Sequence, residues 1–341
     1  MYNLFKVHMW PIWLFEVGTQ AKNFKANPIL GSRVLNTLGL HVGRILLAQG
    51  AIHIRWFLLR GLMPKTYRKS FHADGFIAIE DFITTEEVAT IREEIAAYKG
   101  EVRQMTQGDT ATQRFLLDRD TLSKAPTLKA ITENTEFRNY LSYTGAKATL
   151  PMLYIQRIRN GFRQEKADPQ KNMHSDTFHP TMKAWLFLED VTEEMGPFTY
   201  VPGSSKCTSA RLKWEYRKST GAAKMNDKYS EKGSLRAGPE DLEEMGLPSP
   251  KGLTAKAGTL VIANTNGFHG RGQAQAGANR LEIWAYSRHN PFNPYPGFNI
   301  PFVPHIKHKV MTAFLHRKDK KAAAKGSKPS WHLISEEEML K

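Results

Sequence analysis

Apolar positions along this chain change their period twice. Before Pro64 they recur at helical intervals. Ser32 is placed to cap a helix that begins at Arg33. Arg33, Arg44 and Arg55 return every eleven residues to nearly one side of it, while Leu35, Leu38, Val42 and Leu46 face away. Gly39, Gly43 and Gly50 weaken the pattern. The segment 1–66 therefore reads either as a helix lying in a membrane interface or as a helical cap on a catalytic core.

From Tyr67 the texture is that of an ordinary globular chain. A short strand is predicted at 75–79, and Thr84 with Glu87 forms a capping box that opens a helix to about Tyr98. After a helical and looped stretch, strands are predicted at 153–158, 184–188, 198–201, 259–263 and 281–287, each bounded by Gly, Pro or Asn. No helix of crossover length separates them, which favours an antiparallel barrel or sandwich over a parallel sheet. Residues 204–251 form a charged insertion of weak β pattern, the kind of rim loop that covers a site or binds something. Past about Ala313 the chain turns Lys/Ala-rich and ends near Glu336-Glu337-Glu338, more like a tail than a core. The organisation expected is thus 1–66, a core domain over 67–312, and a tail over 313–341.

Composition narrows the chemistry. With 341 residues, 41% of them apolar, the chain can bury a large core. Its one cysteine, Cys207, excludes an intramolecular disulfide framework and any thiolate metal cluster, leaving imidazole and carboxylate as metal ligands. The net charge of +15 is unevenly placed. Residues 1–70 hold ten Lys/Arg against Glu16 alone, and further basic regions lie at 204–236 and 307–328. This asymmetry suggests an anionic partner: a membrane surface, nucleic acid or a phosphorylated substrate. No signal peptide is evident, and Arg44, Arg55 and Arg60 interrupt the best candidate for a membrane span. A cytoplasmic location is expected, with peripheral contact to an anionic membrane through residues 1–66.

One short cluster and its distant echo point to a reaction. His174-Ser175-Asp176 is followed by His269, with Arg280 eleven residues later. On a strand, residues i and i+2 share a face, so His174 and Asp176 can reach one metal. Two imidazoles and a carboxylate form the facial triad of non-haem Fe(II) oxygenases. His269 follows the turn Asn264-Thr265-Asn266-Gly267, and Arg280 opens the next predicted strand. Its guanidinium offers the fork that an iron centre with a dicarboxylate co-substrate requires. This reads as an Fe(II)- and 2-oxoglutarate-dependent oxygenase. His179, five residues past His174, falls on the opposite strand face and is expected to support the site or wall its pocket. His289, His305 and His308 lack a partner motif and read as structural or surface residues.

Longer motifs make the resemblance specific. His174-Ser175-Asp176, the run from Trp185 through Glu189-Asp190-Val191 to Gly196-Pro197, Val201-Pro202-Gly203-Ser204-Ser205, and His269-Gly270 with Arg280 together resemble the phytanoyl-CoA dioxygenase family. Asp74-Gly75-Phe76 before the capped helix is similar to how that family's domain opens. Ser175 and Ser205 stand where relatives often carry Gln and His, which bears on subfamily more than on chemistry. The likeness covers about residues 70–290.

It implies a mostly β fold with flanking helices around a double-stranded β-helix (jelly-roll, cupin-like) core. By the same resemblance, His174, Asp176 and His269 would be the iron ligands, and Arg280 would hold the distal carboxylate of 2-oxoglutarate. Gln156, Trp185 and Thr199 would line the cofactor pocket. Three protein ligands leave three iron positions, for bidentate 2-oxoglutarate and for O2. The implied reaction is hydroxylation of an unactivated C–H bond with release of succinate and CO2. Asp176 argues against halogenation, because related halogenases lack the carboxylate. The substrate expected is small or amphiphilic, of lipid or acyl type, with an anionic group. The alternatives are a nucleic-acid demethylase of the same superfamily and a non-catalytic membrane-binding protein on a degenerate oxygenase fold. Against the first stands the lack of a basic run interleaved with stacking aromatics.

Overall fold

In the computed structural model, which describes residues 7–163, 166–222, 225, 227–300, 302–335 and 338, the alternating segments pair into two antiparallel sheets. The strands are β1 (Phe76–Ile79), β2 (Arg103–Gln107), β3 (Thr110–Leu116), β4 (Met152–Arg159), β5 (Met182–Phe187), β6 (Phe198–Tyr200), β7 (Lys251–Leu253), β8 (Leu260–Asn264), β9 (His269–Arg271), β10 (Asn279–Ser287) and β11 (His332–Leu333). The larger sheet runs β1-β8-β5-β10-β4-β3-β2-β11 and the smaller one β7-β6-β9.

Period-two alternation explains how these sheets are covered. One face of the large sheet, with Leu153, Ile155, Ala184, Leu186, Leu260, Ile262 and Ile283, packs on helices that include Pro126–Glu133 and Thr135–Thr144. The other face sends Trp185, Phe187, Val261 and Trp284 against Phe198, Tyr200 and Leu253 of the small sheet. Two facing antiparallel sheets of this kind make the double-stranded β-helix expected from the sequence. The capping box is present: the Thr84 hydroxyl accepts from the Glu87 amide, and the Glu87 carboxylate accepts from the Thr84 amide.

Three expectations need correction. The stretch read as helical and looped contains the hairpin β2–β3, which turns at Gly108 with φ of 55°. The segment read as a tail is structured where it is described. Helix Val303–Ala323 runs straight through Ala313, and β11 pairs with β2. Lys/Ala-rich sequence favours helix, and Asp319 anchors this one to Arg103 at 2.6 Å. The third concerns the first region. Ser32 does accept from the Leu35 amide, but Gly39, at φ 96°, splits the helix into Arg33–Thr37 and Leu40–Leu58.

The arginine face of Leu40–Leu58 turns inward. Arg44 and Arg55 are only 4% and 2% exposed. Arg44 donates to the carbonyls of Val17, Thr19 and Ala21, and its guanidinium lies 4.2 Å from the centre of the Phe178 ring. Burial of an arginine is tolerable only with such partners. The insertion carries helix Ser209–Thr220, whose Trp214 shares a small core with Phe24, Leu30 and Phe268. The buried pair His41–Glu215, at 2.9 Å, ties it to the first region. Residues 7–66 and the insertion thus pack together beside the barrel.

Candidate metal centre

His174 lies outside a regular strand but forms a two-way bridge with His269 of β9. Each amide nitrogen is 2.9 Å from the other residue's carbonyl oxygen. The Asp176 amide donates to the Thr265 carbonyl at 2.9 Å, fixing the third residue of the cluster. The side chains converge: their ligand atoms lie within 4.8 Å of one another, and both imidazole Nε2 atoms are 3.7 Å from Asp176 Oδ1.

Hydrogen bonding sets the tautomers. His174 Nδ1 is 2.8 Å from the Asn172 carbonyl, and His269 Nδ1 is 2.9 Å from the Gly267 carbonyl. A carbonyl only accepts, so each Nδ1 carries the proton and each Nε2 presents a lone pair. His269 Nε2 is buried with no hydrogen-bond partner. A buried orphan acceptor facing a carboxylate and a second imidazole is costly unless a cation completes it. The donor set, two neutral nitrogens and one carboxylate, is the one Fe(II) takes in a facial triad, so these residues fit the metal.

Local electrostatics keep the set ready. Burial pushes His269 down to about 4, and burial together with the neighbouring His269 pushes His174 well below the usual imidazole range. Burial alone would raise the Asp176 carboxyl, but Lys183, 2.7 Å away, and the two imidazoles hold it well below the normal carboxylate range. At neutral pH all three groups are in their ligating forms.

The triad opens into a cavity of about 360 Å³. Arg280, Gln156 and Trp185 all line it. Arg280 is buried, donates to the Gly196 carbonyl at 2.8 Å, and places Nε 2.7 Å from Glu282 Oε2. Glu282, Gln156 and Arg114 sit opposite one another on β10, β4 and β3. The Gln156 amide donates to Glu282, and its oxygen accepts from Arg114 Nε at 2.6 Å. Trp185 packs against Phe198, ring centres 4.3 Å apart.

Thr199 is the exception. Alternation on β6 sends Phe198 and Tyr200 into the core between the sheets and Thr199 to the other side, its hydroxyl bonding to the Pro197 carbonyl. Phe198, not Thr199, lines the cavity. His179 is buried and bonds to the Pro180 carbonyl through Nδ1, but it lies outside both the ligand cluster and the cavity wall.

Several lining residues were missed. Lys183 lies one residue before the predicted strand 184–188, and the observed strand starts earlier, at Met182, which puts Lys183 on the face of Trp185. Arg114 belongs to the unrecognised hairpin. Lys22 comes from the first region, and its ammonium donates to the Asp176 carbonyl. Burial lowers Lys22 to about 8 despite the attraction of Asp176. Nothing local to Lys22 announces that role, because it arises from tertiary packing. Together Lys22, Arg114, Lys183, Arg271, Arg280 and Arg288 face a cavity in which Asp176 is the one carboxylate among the described lining residues.

Comparison with known proteins agrees with this geometry. The family model described as Phytanoyl-CoA dioxygenase (PhyH) matches residues 71–280, more than half of the chain. No curated protein sequence matches. Similar solved structures include the non-haem α-ketoglutarate-dependent epimerase SnoN from nogalamycin biosynthesis, at 18% identity over 65% of this chain and 81% of that one, with a TM-score of 0.45. HygX from Streptomyces hygroscopicus, solved with nickel and 2-oxoglutarate, is 19% identical over 66% and 87%, with a TM-score of 0.41. EctD from S. alaskensis, solved with bound Fe, is 12% identical over 71% and 83%, with a TM-score of 0.40. Likeness at these scores carries no weight beside the family match and the triad. The chain belongs to the phytanoyl-CoA dioxygenase family and is a 2-oxoglutarate-dependent non-haem iron oxygenase, using Fe(II), 2-oxoglutarate and O2.

Proposed function

We propose that this oxygenase hydroxylates an unactivated C–H bond of a small amphiphilic substrate that carries an anionic group. The observation that carries the reading is the charge of the cavity: Arg271, Arg280 and Lys183 are paired with Asp168, Glu282 and Asp176, but Lys22, Arg114 and Arg288 also line it and bond to neutral oxygens, the Asp176 carbonyl, the Gln156 amide and the Gln20 carbonyl. A dicarboxylate co-substrate accounts for part of this excess. The remainder calls for a second anion in the same space.

When bound, Fe(II) and 2-oxoglutarate supply the oxidising power, with O2 as oxidant and succinate and CO2 as products of the co-substrate. In this reading His174 Nε2, His269 Nε2 and Asp176 are the ligands, each imidazole being held by a backbone carbonyl at its Nδ1. Arg280 binds the distal carboxylate of 2-oxoglutarate, its guanidinium pre-oriented by Gly196 and Glu282. Gln156 keeps Glu282 and Arg114 in register, and Trp185 with Phe198 shields one wall from water. Lys183 orients Asp176, while Lys22 and Arg288 are left to hold the anionic group of the substrate. The apolar part lies along Trp284, Ile158 and Tyr286.

Succinate formation tests this. With Fe(II), 2-oxoglutarate and O2 present, amphiphiles with carboxylate or phosphate heads should stimulate succinate release over the uncoupled rate, and neutral analogues of equal chain length should not. Lys22→Ala and Arg288→Ala should raise the KM for the stimulating compound with little change for 2-oxoglutarate. Equal stimulation by charged and neutral analogues would contradict the reading.

A further inference from the structure

Helix Leu40–Leu58 is apolar on both sides. It buries Ile45, Ala48, Ile52 and Trp56 together with Arg44, Gln49 and Arg55, and it also turns Leu46, Leu47, Ile54, Phe57 and Leu58 to solvent, with Leu47 69% exposed. A helix whose outer side meets only water carries polar residues there. The exposed apolar surface extends through the preceding turn, where Leu38 is 79% exposed, and onto helix Trp10–Val17, where Phe15 is 75% exposed. A second stripe occurs after β10. Phe302, Ile306, Val310 and Phe314 recur every four residues up to and along helix Val303–Ala323, and all are exposed. Scattered apolar residues need no explanation, but contiguous large ones mark an interaction surface.

The chain at 288–292 stitches the first of these surfaces to the mouth of the iron cavity. Arg288 donates to the Gln20 carbonyl, the Asn290 amide to the Gly18 carbonyl, and Arg55 to the Pro291 carbonyl. Lys22, just past Gly18 and Gln20, is itself a cavity residue. The chain runs on from this seam through residues 293–300 to Phe302, at the start of the second stripe.

We propose that this face is a docking surface for a bilayer containing anionic lipid, with the apolar side chains entering the interface and the cavity mouth beside it. Charge selects the occupant. Arg44 and Arg55 are buried and Lys22 faces the cavity, but exposed Arg33, Arg60, Lys65 and Lys69 lie in or just after the first surface, with Lys309 and Arg317 along the second. A second copy of the chain would set this positive charge against itself, whereas anionic headgroups neutralise it. No helix among the described residues is long and apolar enough to cross a membrane, so the contact is interfacial. The proposal stands apart from the substrate reading above, and its test uses metal-free protein so that the two fail separately.

The full chain is floated with phosphatidylcholine vesicles and with vesicles that also contain phosphatidylglycerol. Binding is expected only to the second set, weakening as salt rises. Leu47→Glu with Phe57→Glu should lower the affinity about tenfold or more. Both positions are exposed, so the variant should keep its thermal midpoint; Arg33→Glu with Lys69→Glu provides an independent, purely electrostatic variant with the same expected direction. Failure of the wild type to float with either vesicle overturns the proposal, as does binding unchanged in both variants. A wild-type dimer that the apolar variant converts to monomer would assign the face to a second copy instead.

Discussion

His174 and His269 exchange both of their backbone hydrogen bonds, each amide nitrogen 2.9 Å from the other's carbonyl oxygen. The two imidazole ligands are therefore positioned by main chain rather than by one another's side chains. Their rings sit with centres 4.4 Å apart because the backbone pair is locked. Removing one ring leaves that frame intact. His174→Ala or His269→Ala should fold with near wild-type circular dichroism and lose about a hundredfold or more in affinity for Fe(II) or a redox-silent substitute such as Zn(II). Calorimetric titration under nitrogen checks this.

Acid should affect the metal-free protein first. His269 is depressed to about 4 from an ordinary value of 6.5, so the folded state refuses a proton that the unfolded chain accepts. The unfolded state binds more protons between those values, so stability falls as pH drops through that window and is unaffected above it. The loss from this group is about 3 kcal/mol by the time pH reaches the folded value. Denaturant unfolding of the metal-free protein at about pH 7.5, 6, 5 and 4, which spans the window, should show it. His269→Gln should remove this group's share of the dependence and leave that of His174, which burial also holds below the usual imidazole range.

Arg280 and Glu282 meet at 2.7 Å inside the barrel, both on the same face of β10. Arg280→Ala leaves Glu282 buried and short of its cationic partner, a change that typically costs about 3 kcal/mol or more in stability. Arg280→Lys keeps the charge without the fork. It should fold and should raise the KM for 2-oxoglutarate about tenfold or more, with a smaller effect on kcat. Steady-state succinate formation separates the two parameters.

Gly267 is a positional constraint on the metal site. A Cβ placed there would lie 1.9 Å from the Tyr200 hydroxyl, which donates to the Asn264 carbonyl, and the Gly267 carbonyl holds His269 Nδ1. Gly267→Ala must displace a fully buried ring or the turn itself. It should cost about 1–3 kcal/mol by overpacking and weaken metal binding, whereas Gly61→Ala, with open space around it and no left-handed backbone, should leave metal binding unchanged. Parallel unfolding and metal-titration curves distinguish these outcomes.

Legibility in the sequence followed the range of the interactions. His174 and Asp176 were readable from their i, i+2 spacing and His269 from the motif it shares with the family, and five of the later strands alternate clearly enough to be found. The hairpin β2–β3 was missed because its residues, such as Thr112, Gln113 and Arg114, are polar on both faces and give no apolar alternation. Arg114 was lost with it. Lys22 was not readable at all, since it reaches Asp176 across 154 positions of sequence. Arg44 and Arg55 were read as one polar face of a helix, correctly, but periodicity does not say whether that face meets water or carbonyl oxygens. Thr199 shows the limit of motif transfer: a one-residue shift in strand register exchanges Phe198 for it.

The central claim is that His174, Asp176 and His269 bind iron beside a 2-oxoglutarate site built on Arg280. Anaerobic addition of Fe(II) and 2-oxoglutarate to the purified protein tests it most directly, through the weak visible metal-to-ligand charge-transfer band. The account predicts a band in the wild type, none in His174→Ala, and one in Arg280→Lys only at raised 2-oxoglutarate concentration. Folded wild-type protein that gives no band, or a band that survives His174→Ala, would contradict it.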